Sequence, residues 1–313
     1  MAKTLYIIGN GFDKYHGLAT GYSDFRCYMM QNHHDEWKRI GLIFNRKNPD
    51  QLWSNFEKEL ETFDALKLVK KNVESWMNLT LNEFENQFDV FHNAILGYFH
   101  EWILQIDMNK ENKKRLELDK NALFLSFNYT NTLEKLYGIS SNQICYIHGN
   151  TLNSNSLRPI VGHSHKHNCV AKVQNEIRQY IKTLDKCPKW AVNFDDFADI
   201  VLEELNKFWD GLAKEPCSLQ IDPHKKYTII QNGNGFKDYN KLDDIYVMGH
   251  SLEYVDADYF KEIYSLSPNA EWHISKYNEK EDDLKQKLSN LLQSQVSSLR
   301  ISIFTMDSLA INK

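Results

Sequence analysis

Short apolar runs rich in β-branched residues recur along the chain, and several end in glycine or in asparagine and histidine. The pattern predicts seven strands, at Leu5–Ile8, Leu123–Phe127, Ile144–Ile147, Pro159–Val161, Ile245–Met248, Trp272–Ile274 and Ile301–Phe304. In open α/β sheets, strands commonly end in such residues at the point where a functional loop begins. The sequence therefore predicts an α/β fold with a mostly parallel sheet.

Two long segments instead place their apolar and aromatic residues at helical spacing, at about residues 36–118 and 170–212. Aromatic residues at such spacing usually form a core rather than a cofactor site. We expect both segments to be helical insertions that pack over the sheet. The chain has only six prolines and no glycine-serine tract, so residues 1–313 are expected to form a single α/β domain. A further charge-rich stretch, Lys276–Lys287, predicts a solvated helix.

The first apolar run leads directly into Gly9-Asn10-Gly11-Phe12-Asp13, and a helical pattern follows at Tyr22–Met30. Glycines at the end of a buried strand let backbone amides approach a phosphate. The spacing is not G-x-G-x-x-G, and no acidic residue closes a second strand about 20 positions further on. The loop therefore predicts that the protein binds a nucleotide. Its spacing argues against the dehydrogenase form of the dinucleotide-binding fold. Asp13 is a helix cap or a site carboxylate.

Three more loops follow predicted strands. They carry Asn128 before Tyr129, His148 before Gly149, and the run Gly249-His250-Ser251. Asn128 is either a helix cap or a site residue, while His148 is suited to act as a general base. Strands of one parallel sheet bring such loops to one crevice, where open α/β sheets bind ligands.

Composition excludes several classes of protein. A formal charge of -5 and a pI near 6.2 give no electrostatic footprint for nucleic acid or an anionic membrane. No apolar stretch approaches the ~18 residues of a membrane span, and no signal-peptide pattern opens the chain. The five scattered cysteines lack any C-x-x-C spacing. They are expected to be reduced thiols of a cytoplasmic protein.

The motifs together resemble the AbiH proteins of bacteriophage abortive infection. The resemblance rests on five elements in the family's order: the Gly9–Asp13 loop with the Gly17–Phe25 run, Trp53-Ser54-Asn55-Phe56-Glu57, Phe127-Asn128-Tyr129-Thr130, Ile147-His148-Gly149 and Gly249-His250-Ser251-Leu252. It implies a role in antiviral defence.

The same skeleton is similar to the SIR2-like domains that cleave NAD in phage defence. This second resemblance implies a Rossmann-like, SIR2-like fold and an NAD glycohydrolase with NAD as substrate and no required cofactor. Asn128 would orient the nicotinamide ribose or the attacking water, and His148 would be the base. Asp13, where SIR2-like domains carry a small or hydroxyl residue, is the candidate for stabilising developing positive charge. Residues assigned to binding are Gly9, Asn10, Gly11, Phe12, Tyr129, Gly149, Gly249, His250 and Ser251.

Related NAD-cleaving effectors assemble or need activation, so the resemblance also implies a phage-derived trigger and a homo-oligomer. The four-cysteine zinc module of sirtuin deacetylases is absent from the sequence, which leaves a deacylase little support.

Two other hypotheses remain open. The cluster His163-Ser164-His165-Lys166-His167-Asn168-Cys169 offers ligands for zinc or another borderline metal, which would favour a metal-dependent hydrolase or nuclease. Alternatively, the loops bind a nucleotide without turnover and the protein is a sensor.

Overall fold

A computed structural model describes residues 4–43, 64–89, 95–106, 114–148, 170–218 and 242–311. The chain divides into two compact units. The first is drawn from Met1–Gly21, Ile103–Pro159 and Ile221–Lys313, and the second from Tyr22–Trp102 and Ile160–Gln220. The assignment of the whole chain to a single domain stays a prediction.

The first unit is built on a six-stranded sheet in which all strand pairs are parallel. Its strands are β1 (Thr4–Ile8), β2 (Leu123–Ser126), β3 (Ile144–Tyr146), β4 (Asp244–Met248), β5 (Glu271–Lys276) and β6 (Arg300–Thr305). The strand order is β3-β2-β1-β4-β5-β6. This is the doubly wound order, whose direction reverses between β1 and β4, and it confirms the predicted α/β Rossmann-like fold.

Eleven α-helices lie within the described ranges. They are α1 (Asn10–Tyr15), α2 (Tyr22–Asn32), α3 (His34–Ile43), α4 (Ala65–Trp76), α5 (Leu81–Asp89), α6 (Ile95–Leu104), α7 (Thr132–Tyr137), α8 (Val170–Ile181), α9 (Phe194–Ser218), α10 (Ala257–Leu266) and α11 (Glu281–Leu292). Single 3-10 turns lie at Ser141–Gln143, Tyr254–Asp256, Val296–Ser298 and Met306–Leu309.

Helices cover the sheet on both faces, which explains why its central strands read as continuous apolar runs. On one face Leu5 and Ile7 of β1 share a buried cluster with Phe260 of α10 and Leu288 of α11. On the other face Tyr6 and Ile8 of β1 share a cluster with Phe12 of α1 and Leu133 of α7. Alternation along β1 thus sends neighbouring side chains into two different cores.

The second unit is helical in its described residues and has its own core. Buried residues of α4, α5, α8 and α9 pack together there, among them Val69, Phe84, Ile177 and Val201. The prediction that aromatic residues form the core is confirmed for Trp76 and Phe84. Both are almost fully buried, and their ring centroids lie 5.3 Å apart.

Most predicted elements are confirmed, with two corrections. Six of the seven predicted strands form the sheet, and Pro159–Val161 lies outside the described residues. The stretch Lys276–Lys287 is not one helix, because Lys276 ends β5 and α11 begins at Glu281. Residues 114–118, placed in the first helical segment, are not helical, and Leu116 forms an antiparallel bridge with Ala310.

Candidate functional site

The loop after β1 lies in direct backbone contact with the loop after β4. The Gly11 amide donates to the Gly249 carbonyl oxygen over 2.8 Å. A Cβ atom on Gly9 would lie 2.6 Å from the His250 Cα atom, and one on Gly249 would lie 2.1 Å from the Phe12 nitrogen. Gly249 also has a φ of +66°, which favours glycine. The glycines therefore let two loops meet where the strand order reverses.

Three backbone amides of the glycine loop, those of Gly9, Gly11 and Phe12, already donate within the protein. Gly9 donates to the Met248 carbonyl oxygen over 3.0 Å, and Phe12 donates to the Gly9 carbonyl oxygen over 2.9 Å. The Asn10 side chain is also engaged, because its Oδ1 atom accepts from the Thr20 hydroxyl over 2.5 Å. These contacts give the loop a structural role that needs no ligand. The assignment of Gly9, Asn10, Gly11 and Phe12 to nucleotide binding stays a prediction.

Asn128 follows β2 and ties this strand to the loop after β1. Its Nδ2 atom donates to the Gly9 carbonyl oxygen over 3.1 Å, and its backbone amide donates to the Ser126 hydroxyl over 3.2 Å. A carbonyl can only accept, so the contact with Gly9 fixes which end of the amide is nitrogen. The Oδ1 atom is buried and has no hydrogen-bond partner in the described part of the chain, and the residue is only 5% exposed.

Asp13 reaches the same strand-end segment from α1. Its two carboxylate oxygens accept from the Thr130 hydroxyl over 2.5 Å and from the Thr132 hydroxyl over 2.7 Å. The two hydroxyl oxygens lie 3.0 Å apart, and Asp13 is 1% exposed. The carboxylate thus neither caps its helix nor faces solvent. It fixes the chain just after Asn128, so it acts on the site through these threonines.

A second buried carboxyl group lies on α7. Tyr146 of β3 donates its hydroxyl to Glu134 Oε2, while Glu134 Oε1 is buried without a hydrogen-bond partner among the described residues. Burial raises the pKa of Glu134, although the Tyr146 hydrogen bond acts in the opposite direction. Burial also raises the pKa of Tyr146, and the negative charges of Glu134 and Asp13 add to that effect.

His148 follows β3 with its ring held by two aromatic neighbours. It stacks on Tyr129, with ring centroids 5.5 Å apart and an interplanar angle of 26°, and it meets Phe127 edge-on at 5.8 Å. The side chain is partly exposed. Within the residues described, no hydrogen bond to either ring nitrogen of His148 is found. Among the described contacts, the ring is oriented by its packing against Tyr129 and Phe127.

His250, after β4, is held quite differently. Its Nδ1 atom accepts from the Leu252 amide over 3.0 Å, so the proton of the neutral ring is on Nε2, which lies 3.1 Å from Asp256 Oδ2. The ring is 4% exposed and packs against Phe127. The residue locks its own loop, in which Leu252 has a φ of +56°. Both ring nitrogens are used inside the protein.

Ser251, also assigned to binding, is exposed, and its carbonyl oxygen accepts from Lys287 of α11 over 3.2 Å. Other predicted elements lie outside the described residues: Gly149, the Trp53–Glu57 motif and the His163–Cys169 cluster.

The strand-end segments from β1, β2, β3 and β4 are therefore linked by named contacts. Asn128 and Asp13 join the first two, and Phe127 contacts the histidines after β3 and β4. The sequence predicts Thr130 or Asn131 as the start of the next helix, and it indicates no role in the site for Thr130 or Thr132. The signal available in the sequence is a pair of threonines at the second and fourth positions after Asn128.

The order of these motifs along the chain is that of a known family. The family model described as Bacteriophage abortive infection AbiH matches residues 5–276. The chain belongs to the AbiH family. The match runs from Leu5 of β1 to Lys276 at the end of β5, and it includes the segments that carry Asp13, Asn128, His148 and His250.

This AbiH protein is thereby a protein of phage abortive infection defence. No curated protein and no solved structure matches the chain. Across the helices that the structure describes, none combines the length and apolarity needed to cross a membrane.

Proposed function

We propose that this AbiH protein binds NAD at the carboxyl ends of β1, β2 and β3 and hydrolyses it to nicotinamide and ADP-ribose during phage defence. The proposal joins the resemblance of the motifs to NAD-cleaving domains with the chemistry of three side chains. Asn128 binds the ribose or water, His148 accepts a proton, and Asp13 supplies negative charge.

The observation that carries the proposal is the unpartnered Oδ1 atom of Asn128. A buried acceptor without a donor costs about 1–3 kcal/mol, so a native protein has a reason to keep one. The amide cannot turn to satisfy this oxygen without breaking its bond to Gly9. A ligand at this point must therefore present a hydrogen-bond donor. Ribose hydroxyls and water are donors, whereas a phosphate oxygen only accepts.

His148 is the better base of the two histidines at these strand ends. His250 already has partners at both nitrogens, whereas the ring of His148 is held by Tyr129 and Phe127 through packing. In the proposed step the bond between ribose C1′ and the nicotinamide nitrogen breaks, and nicotinamide leaves with the electron pair. A water oxygen bonds to C1′, and the water proton passes to His148.

Asp13 supports this reaction from inside the protein. Its oxygens are occupied by Thr130 and Thr132, so it does not touch the substrate. A carboxylate in a low-dielectric environment nevertheless favours the positive charge that develops on the ribose as nicotinamide departs. Asp13→Asn is expected to lower the rate of cleavage more than it weakens the binding of NAD.

The test is nicotinamide release from NAD, followed by chromatography, for the wild type beside Asn128→Ala and His148→Ala. A matched control is Asn72→Ala, because Asn72 also donates its amide to a backbone carbonyl but lies on α4. We expect both site variants to lose turnover and the control to keep it, with unfolding transitions confirming that all are folded.

The same four proteins are also expressed in phage-infected cells, where cellular NAD is measured, so that a trigger is supplied. NAD binding without turnover in both settings would support the sensor hypothesis instead. Neither binding nor depletion by the wild type would overturn the proposal.

A further inference from the structure

Three side chains of the kinds that bind metals meet at the amino ends of β4 and β5, the opposite end of the sheet from Asn128. They belong to Asp244, Glu271 and His273. Asp244 and Glu271 are paired in register as the first residues of their strands, and His273 follows two positions later on the same face. One ligand atom from each of the three lies within 4.8 Å of the other two.

His273 is held in a fixed orientation at this place. Its ring stacks on Tyr246, with centroids 4.3 Å apart and an interplanar angle of 19°. Its Nε2 atom lies 2.8 Å from Asp244 Oδ1, and its Nδ1 atom lies 2.6 Å from the Ser302 hydroxyl on β6. In the metal-free protein Nε2–H donates to Asp244 and the Ser302 hydroxyl donates to Nδ1.

We propose that Asp244, Glu271 and His273 form a binding site for a divalent metal ion, with Zn²⁺ as the expected ion. One imidazole and two carboxylates are a ligand set that suits zinc, and the two negative charges balance a dication. Water would complete the coordination shell. The carboxylates of Asp244 and Glu271 are 40% and 46% exposed, which gives an ion an entry path, whereas the His273 side chain is 16% exposed.

Metal binding would use the existing hydrogen bonds rather than break the fold. The ion would bind Nε2 of His273 while the ring proton moves to Nδ1, and the Ser302 hydroxyl would turn to accept from Nδ1–H, so the neutral ring loses no net proton. A histidine ligand commonly donates its second ring N–H to such a partner, which fixes its orientation. Ser302 is therefore a positioning residue for the metal ligand.

The electrostatic surroundings of the cluster are negative. The pKa of Tyr246 is raised, first by burial and then by the charges of Asp244 and Glu271. Arg300 of β6 is paired in register with Glu271. This site lies at the other end of the sheet from the proposed NAD site, and neither depends on the other.

The test is isothermal titration of the full chain with Zn²⁺, and with Mn²⁺ and Mg²⁺ for comparison. All proteins carry alanine at His163, His165, His167 and Cys169, so that the cluster singled out in the sequence cannot contribute. The variants are His273→Ala, Asp244→Asn, Glu271→Gln and Ser302→Ala. The control is His33→Ala, because the described residues place one carboxylate near its ring, that of Glu101 at 3.6 Å.

We expect one Zn²⁺ per chain, and weaker binding of Mg²⁺. His273→Ala and Asp244→Asn should weaken Zn²⁺ binding by at least about a hundredfold, Ser302→Ala by about tenfold, and His33→Ala not at all. Glu271→Gln changes a half-exposed side chain and keeps the test valid if another variant misfolds. Absence of Zn²⁺ binding by the protein that carries only the cluster changes, or equal binding by the ligand variants, would overturn the proposal.

Discussion

The Nδ2 atom of Asn128 lies 3.1 Å from the carbonyl oxygen of Gly9, so the ends of β1 and β2 are joined by a side chain rather than by the sheet alone. The same carbonyl also accepts from the Phe12 amide over 2.9 Å. Gly9 would therefore keep a donor if Asn128 were removed. The Oδ1 atom, in contrast, has none among the described residues.

Asn128→Ala is expected to change the free energy of unfolding by no more than about 1 kcal/mol, because it removes one hydrogen bond and one unsatisfied acceptor together. Asn128→Asp should destabilise by about 1–3 kcal/mol or more, because it turns a carboxylate oxygen toward the Gly9 carbonyl. Urea denaturation of the two variants measures the difference. A more stable Asp variant would show that the amide orientation is wrong.

Gly249→Ala is expected to be far more destabilising than Gly138→Ala. Both glycines have a φ of +66°, but a Cβ atom on Gly138 meets no atom within 4 Å, whereas one on Gly249 meets the Phe12 nitrogen at 2.1 Å. The strain common to both costs about 1–2 kcal/mol. Gly249→Ala must in addition separate the loops after β1 and β4, and we expect a loss of several kcal/mol beyond the control or a failure to fold.

Thermal and urea unfolding of Gly249→Ala and Gly138→Ala measure the loss of stability in each variant. Equal losses would mean that the loops after β1 and β4 separate without cost, and that backbone conformation alone explains the glycine at position 249.

The elements of the sheet could be predicted because their signal is local. Leu5–Ile8 is a continuous apolar run since both faces of β1 are buried, and that pattern can be read from a few residues. The partners within the site could not be predicted in this way. Thr130 lies 117 positions from Asp13, and no sequence pattern near either residue indicates that they are in contact.

The glycines illustrate the same limit. Gly9 and Gly11 indicate that something approaches the backbone closely, and a phosphate and a second loop both satisfy that pattern. Only the structure identifies Gly249 and His250 as the close neighbours. The sequence likewise predicts His250 to be a binding residue at a strand end. In the structure its ring nitrogens instead contact the Leu252 amide and the Asp256 carboxylate.

Asp13→Ala is expected to destabilise the protein more than Asp13→Asn. Removal of the carboxylate takes away the acceptor shared by the buried hydroxyls of Thr130 and Thr132, which lie 3.0 Å apart and can still bond to one another, so we expect a cost of about 1–3 kcal/mol. An asparagine can still accept from one hydroxyl and donate to the other. The free energies of unfolding of both variants, obtained from urea denaturation, give the comparison.

A double-mutant cycle of Asp13→Ala with Thr130→Val tests whether the two residues act together. We expect a coupling energy of about 0.5–3 kcal/mol, as is usual for residues in direct contact. Additive effects would show that Asp13 does not fix the segment after Asn128.

Glu134→Gln is expected to stabilise the protein relative to wild type as the pH rises. The folded protein holds the Glu134 proton more tightly than the unfolded chain does, because burial raises the pKa of this carboxyl above its ordinary value of 4.5. Between the ordinary and the raised pKa the folded state binds more protons, so this residue lowers stability as the pH increases. Glutamine does not titrate and removes that dependence. Denaturation at pH 4, 5.5 and about 7.5 measures this pH dependence of stability. The control is Glu74→Gln, because Glu74 is exposed. An unchanged pH profile in Glu134→Gln would contradict the burial of an ionisable Glu134.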